Sequence, residues 1–307
     1  MDWHILGAGS LGCLWAARLA AQKNNVQLIL RDSAAITRYQ QTPGIGLTDA
    51  QQHSRYYPIP AQLASDSQPI QCLLLACKAY DAQAAISQVA ARLSGNSIVI
   101  LLQNGLGSQQ AIQQMLPEVR CIAASSTEGA YQQQPFHSVF AGAGHTFLGD
   151  LQPQLHSPPD QFIAQCSAAQ INLSWSADIN EYLWRKLAIN CAINPMTAVH
   201  NCRNGELTQH AEQVNRLCAE LQLLLERAGQ SAAAQNLTQQ VWAVIEKTAA
   251  NSSSMRQDLL NQRRSEISYI TGFACAQSNA LECSTPTLHA LHAQLQQTLL
   301  AAGLPPH

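Results

Sequence analysis

The chain has 307 residues, more than one typical domain, so two domains are expected, and 47% hydrophobic residues supply a sizeable core. Only 12% of residues are charged and the net charge is −2, so there is no basic field to hold nucleic acid or an anionic membrane surface. No apolar run approaches the ~20 residues of a membrane span, and a folded strand stands where a secretion signal would. The ten cysteines form no CxxC pair and sit mostly in apolar segments, which reads as reduced, buried thiols in a cytoplasmic protein.

Trp3–Leu6 is a predicted strand that runs into Gly7-Ala8-Gly9-Ser10-Leu11-Gly12 and then an apolar helix through Ala21. This is GxGxxG in a strand–turn–helix setting. Gly7 permits the tight turn and Gly9 lets backbone approach a pyrophosphate. Gly12 allows close helix–strand packing, and the helix N-terminus offers N–H groups to the anion. A second strand, Val26–Leu30, ends at Arg31-Asp32. An acid at that point would bind the ribose 2′-hydroxyl of NAD, and an arginine accommodates a 2′-phosphate. Arg31 comes first, which favours NADP(H); a solvated arginine at a strand end is the plainer alternative.

Three further apolar runs repeat the theme. Pro69–Cys77 ends at Lys78 and leads into a helix over Asp81–Leu93. Ser97–Leu102 ends at Gln103-Asn104-Gly105-Leu106-Gly107, and Cys121–Ala124 ends at Ser125-Ser126-Thr127. In open parallel sheets ligands bind beyond the carboxyl ends of the strands, so Lys78 and Asn104 together outline one crevice, although singly each reads as a turn residue. Gly44–Pro60 and Tyr131–Asp150 read as inserted hairpins, Pro159–Gln170 as a helix and Ile171–Trp175 as a last strand. After Ser176 the strand runs cease. Long helical stretches take over at Ile179–Asn194, Glu206–Ala228, Ala232–Ala249, Ser254–Ala280 and Thr287–Leu300. The domain boundary is therefore placed at residues 1–176 and 177–307.

The most informative stretch is Leu183–Leu207. Lys186, Asn190 and Asn194 fall at i, i+4 and i+8, and each step of four turns about 40° and rises ~6 Å. Leu183, Leu187 and Cys191 border this polar stripe on one side, Ile189 and Ile193 on the other, with Trp184, Ala188 and Ala192 behind. A helix apolar nearly all round is buried, and buried ammonium and carboxamide groups need partners, so the stripe fits the wall of a polar pocket. A surface helix, or a structural Lys–carboxylate pair, is the alternative. Pro195 should kink or stop the helix, and Asn201 and Asn204 follow in a turn close enough to fold back. One of Ser252, Ser253 and Ser254 caps the helix that begins SMRQD. Glu266 is a candidate partner for an inward-facing Lys186, against the simpler reading of a surface residue beside Arg263 and Arg264. A dinucleotide on one domain and this stripe on the other suggest hydride transfer in the cleft between them. A positioned ammonium would give a proton to the developing alkoxide, and the asparagines would hold the ketone in place.

Over essentially its whole length the chain resembles the ketopantoate reductase (2-dehydropantoate 2-reductase) family. The resemblance rests on GAGSLG at Gly7–Gly12, Arg31, Lys78, QNGLG at Gln103–Gly107, WRKLAINCAINPMTAV, NCRNGEL and SMRQD…E. It implies a Rossmann-type doubly wound α/β sheet followed by an all-α domain, and NADPH-dependent reduction of ketopantoate to (R)-pantoate in pantothenate biosynthesis. Lys186 would be the general acid and would touch substrate together with Asn104, Asn190, Asn194, Asn204 and Ser254. The cofactor would meet Gly7, Ala8, Gly9, Ser10, Leu11, Gly12, Arg31, Lys78, Asn104, Ala130 and Glu266. Asp258 is left as a helix-start residue, no metal is implied, and a homodimer is left open. Two other readings compete: a sister reductase of another 2-keto acid, and a non-catalytic NADP(H)-binding sensor.

Overall fold

Runs of four or five buried aliphatic residues become strands because successive side chains alternate between two faces, each covered by helices. In the computed structural model, which describes residues 1–152 and 157–307, the first half contains β1 (Trp3–Leu6), β2 (Val26–Leu30), β3 (Ile45–Thr48), β4 (Ser54–Tyr57), β5 (Ala61–Leu63), β6 (Cys72–Leu75), β7 (Ile98–Leu101), β8 (Arg120–Ser126), β9 (Gly129–Gln134), β10 (His137–Gly142), β11 (Thr146–Asp150) and β12 (Leu173–Trp175). Helices α1 (Ser10–Ala21), α2 (Ser33–Gln40), α3 (Ala79–Val89), α4 (Ser108–Met115) and α5 (Asp160–Ala168) lie between them. Eight strands form one sheet in the order β12-β11-β8-β7-β6-β1-β2-β5. From β5 to β8 all neighbours are parallel; β11 runs antiparallel to β8, and β12 parallel to β11.

The two faces of the sheet carry separate cores. Ile5, Leu28, Leu74 and Ile100 pack with Trp15 and Leu19 of α1 and Phe162 of α5. Their neighbours in sequence, Leu6, Ile29, Leu73, Leu75 and Leu101, pack with Ile86 of α3 and Ile112 of α4. The sheet is thus wound on both sides, the Rossmann-type arrangement expected from the alternation of strands and helices.

The inserted hairpins depart from the sequence reading. β3 and β4 form the first, within Gly44–Pro60. The second is shorter than Tyr131–Asp150: β9 and β10 pair from Gly129 to Gly142, while β11 joins the main sheet. The two hairpins pair with each other through parallel β10 and β3, giving a four-stranded sheet in the order β4-β3-β10-β9. A buried bond between Thr48 Oγ1 and His137 Nε2 (2.7 Å) ties them side chain to side chain. That partnership joins segments about ninety residues apart, and local patterning carries no trace of it.

Two compact units divide the chain: Met1–Gln103 with Ser108–Ile179, and Asn104–Gly107 with Asn180–His307. The second is helical, with α6 (Ile179–Val199), α7 (Ala211–Arg227), α8 (Ser231–Ala234), α9 (Leu237–Lys247), α10 (Ser254–Leu260), α11 (Thr271–Ala280) and α12 (Pro286–Ala301). Pro195 does not stop α6, which continues to Val199. Met196, Thr197 and Ala198 beyond it are all buried, so packing holds a helix that has lost one backbone bond. The single predicted helix Ser254–Ala280 is two. It breaks after Leu260, where Gln262 takes a left-handed φ of 54° and the Arg263 N–H donates to the Asp258 carbonyl (2.8 Å). Likewise Ala232–Ala249 is interrupted at left-handed Asn236. Among the described residues no helix is long and apolar enough to cross a membrane, and all ten cysteines are free thiols.

Candidate active site

β2 and β6 flank β1 in parallel, so the residues that follow the three strands emerge on one edge of the sheet. From β1 comes the glycine turn. Gly7 has φ 113°, and a Cβ there would lie 2.5 Å from the Cys77 amide nitrogen. On Gly12 a Cβ would fall 2.0 Å from the Gly7 carbonyl oxygen, so the helix can seat on the turn only without a side chain. A Cβ on Gly9 would meet nothing nearer than 3.8 Å, which leaves that backbone open to approach. Gly9 caps α1, and no side chain caps the helix's first turn. This cradle, with Ala8, Ser10 and Leu11 in its wall, fits the pyrophosphate of a dinucleotide.

Arg31 follows β2, and 82% of its side chain is exposed. Its Nε donates to Asp32 Oδ2 (3.1 Å). Asp32 is used as the N-cap of α2: Oδ1 accepts from the Ala35 N–H (2.7 Å). That amide and the Arg31 guanidinium hold the Asp32 carboxyl below its ordinary pKa. Lys78 follows β6 as the N-cap residue of α3 and is half-buried. Ala130 lies in β9 opposite Phe140 of β10. After β7, the buried Gln103 Nε2 bridges the carbonyls of Leu75 (2.8 Å) and Cys77 (3.3 Å), stitching two strand ends together just before Lys78. The sequence shows Gln103 only as part of QNGLG and gives no hint of this bridge.

In the second unit α6 buries Leu183, Leu187 and Ala188 in its first half and every residue from Cys191 to Ala198, while Glu181, Trp184, Arg185 and Ile189 stay half-buried. Lys186, Asn190 and Asn194 share one stripe of α6; the first two are half-buried and Asn194 is 8% exposed. Burial drives the Lys186 ammonium from its ordinary 10.5 down to about 8, against the opposing charge of Glu266. Glu266, 4% exposed, sits just past the break after α10, at the start of the short 3₁₀ turn Ile267–Tyr269. Asn104 Nδ2 donates to its Oε2 (3.5 Å). The Asn104 segment is locked onto the same turn. The Leu106 N–H donates to the Tyr269 carbonyl (2.8 Å), and Gly105, at φ 77°, passes so close that a Cβ would lie 2.1 Å from that oxygen.

Beyond Pro195, Thr197 Oγ1 donates to Ser253 Oγ (2.6 Å). Ser253 is the N-cap of α10, accepting from the Arg256 N–H (3.1 Å), so Ser254 is left exposed at the first helical position. Asp258 is not a helix-start residue: it is buried at the fifth position of α10. Asn201 Oδ1 accepts from Arg256 Nε (3.0 Å), which commits it to the framework. Asn204 is buried, and its Nδ2 donates to Thr248 Oγ1 (2.8 Å). The second unit therefore joins a half-buried ammonium, a carboxylate that opposes its loss of charge, and several carboxamides. That set can protonate and hold an oxygen-rich acid.

Comparison with known proteins adds an independent line. The family profile Ketopantoate reductase PanE/ApbA matches residues 3–153, and Ketopantoate reductase PanE/ApbA C terminal matches residues 178–298. A Vibrio cholerae protein named 2-dehydropantoate 2-reductase is 30% identical over 298 residues, covering 96% of this chain and 97% of that one. Among solved structures, a PanE/ApbA family ketopantoate reductase from Ralstonia eutropha JMP134 matches with a TM-score of 0.85 at 25% identity, covering 99% of this chain and 100% of that one. A ternary structure of D-mandelate dehydrogenase with NADH and anilino(oxo)acetate reaches 0.91 at 19% identity, with 99% and 100% covered, a likeness of fold alone.

Proposed function

The chain belongs to the ketopantoate reductase family of oxidoreductases, and from that premise we propose that it reduces 2-dehydropantoate to (R)-pantoate with NADPH, a step of pantothenate formation, with Lys186 as general acid. The observation that carries the proposal is the placement of Lys186, on one stripe of α6 with Asn190 and Asn194 and within the influence of the buried Glu266 carboxylate. Burial brings its ammonium down to about 8, so it still carries its proton at neutral pH yet is a stronger acid toward a developing alkoxide than an exposed lysine.

The glycine turn Gly7–Gly12 binds the pyrophosphate, Arg31 and Lys78 meet the 2′-phosphate end, and Ala130 lies along the cofactor. The bound reduced dinucleotide supplies the hydride. Lys186 gives its proton to the ketone oxygen as negative charge builds there, and its own charge steadies the alkoxide before transfer. Glu266 keeps the ammonium protonated in a site that disfavours charge and orients the nicotinamide ribose. Asn104 contacts both cofactor and substrate, while Asn190, Asn194, Asn204 and Ser254 bind the keto acid through hydrogen bonds. Uncharged carboxamides suit that task because they add no like or opposing charge to shift Lys186 further.

NADPH oxidation at fixed enzyme, with ketopantoate added or withheld, tests the assignment. Oxidation that depends on the keto acid supports it. Tight NADPH binding with no keto acid consumed overturns it in favour of a sensor. A panel of 2-keto acids ranked by kcat/KM reads the substrate, and a higher rank for any other acid replaces ketopantoate in the proposal.

A further inference from the structure

Asn204 is held unusually firmly. Its backbone N–H donates to the Asn251 carbonyl and the Gly205 N–H to the Ala249 carbonyl, both at 3.0 Å. A Cβ on Gly205 would lie 2.7 Å from Ala249 Cβ, so the two segments are in close contact. The side chain is 7% exposed, and its Nδ2 donates to Thr248 Oγ1 at 2.8 Å.

Thr248 determines which way this carboxamide faces. Its hydroxyl hydrogen is used toward the Val244 carbonyl (2.6 Å), so toward Asn204 its oxygen can only accept. Turning the amide over would set two oxygens against each other with no hydrogen between them. The carbonyl Oδ1 is therefore the group left over. It is buried, and no donor among the described residues reaches it. A buried amide oxygen without a partner is costly because it forfeits its bond to water, and native proteins leave few of them. A 2-keto acid offers mostly acceptors: its ionised carboxylate and its ketone cannot donate. Only a hydroxyl elsewhere on the molecule can satisfy Oδ1.

We propose that Thr248 is a positioning residue for substrate specificity: it presents the Asn204 carbonyl as an acceptor, so that the site selects 2-keto acids carrying a hydroxyl donor over isosteres that lack one. The inference rests on the keto-acid reading of this unit, and its test uses binding so that the two can fail separately. A site that pairs a buried acceptor with a substrate hydroxyl penalises analogues without it, because the acceptor is then stranded.

The test compares three acids by calorimetry on the intact protein saturated with NADP⁺, which permits no turnover. These are 4-hydroxy-3,3-dimethyl-2-oxobutanoate, its 4-fluoro analogue and its 4-deoxy analogue. Fluorine is close to hydroxyl in size and cannot donate. The fluoro and deoxy acids are expected to bind alike, each at least about tenfold more weakly than the hydroxy acid. In Thr248→Val, which removes the acceptor for Nδ2 and frees the amide to turn, the preference should fall to about twofold. Thr248→Ser, which keeps the oxygen, should preserve it. Equal binding of the hydroxy and fluoro acids by the unaltered protein, or binding of none of the three, overturns the proposal without need of a variant. A folded Thr248→Val protein that retains the full preference overturns it too. If the preference is present but NADPH reduces none of the acids, the inference stands and the reductase assignment falls.

Discussion

The Asn104 carboxamide donates to the Glu266 carboxylate across 3.5 Å, a contact between residues 162 apart in the chain. Glu266 in turn is the charge that opposes the loss of the Lys186 proton. Three residues from three separate segments therefore share one electrostatic arrangement, and each can be disturbed with a different expected signature.

Lys186→Ala should lower kcat by about 10²–10⁴-fold, the usual worth of a positioned general acid. NADPH affinity, followed by the change in nucleotide fluorescence, should hardly move. Turnover comparable to that of the unaltered protein would remove Lys186 from the chemistry.

The pH profile has a definite sign. A general acid must carry its proton, so kcat/KM for reduction should fall as pH rises through about 8, the value to which burial brings Lys186. Oxidation of pantoate needs the free amine and should rise through the same region. In Glu266→Gln the influence that raises the lysine is gone, so the inflection should move to lower pH. The linkage to stability runs the other way from a lysine that gains a partner. Between about 8 and 10.5 the unfolded chain holds more protons at this residue, so its contribution to stability improves with rising pH.

Arg31 is exposed and braced by Asp32, while Asp32 is occupied in capping α2. NADPH should therefore be preferred over NADH, and Arg31→Ala should narrow the gap by weakening NADPH alone. The ratio of kcat/KM for the two nucleotides measures this. Equal use of both by the unaltered protein would refute the role given to Arg31.

Ser253 and Ser254 should separate cleanly. Ser253 is the helix cap, so Ser253→Ala should cost about 0.5–2 kcal/mol of stability, seen as a lower Tm. Ser254 is exposed and caps nothing, and Ser254→Ala should raise the keto-acid KM at unchanged Tm. The opposite pattern would exchange their roles.

Gly105→Ala places a methyl group 2.1 Å from the Tyr269 carbonyl oxygen at a φ that favours glycine. It should destabilise the protein by at least about 1 kcal/mol in denaturant titrations and raise the keto-acid KM, because Asn104 is carried by the same turn. An unchanged KM would detach Asn104 from the substrate.

The sequence by itself determined what is written in short-range periodicity. The strand–glycine turn–helix at Trp3–Ala21 needs no side chain at Gly7 or Gly12, and the structure shows the close approaches that require this. The stripe of Lys186, Asn190 and Asn194 was legible from spacing of four, and the expected burial all round the helix holds from Cys191 to Ala198 but not in the first half, where Glu181 and Arg185 form a half-exposed ion pair. Only the tertiary structure decided the rest. Pro195 permits α6 to continue because the residues after it are buried by packing. The pairing of the two hairpins through β3 and β10, the break at Gln262 that precedes Glu266, and the facing of the Asn204 amide by Thr248 all depend on contacts between distant segments. Such contacts are chosen by shape and by the need to match each buried donor with an acceptor, and neither leaves a repeating mark along the chain.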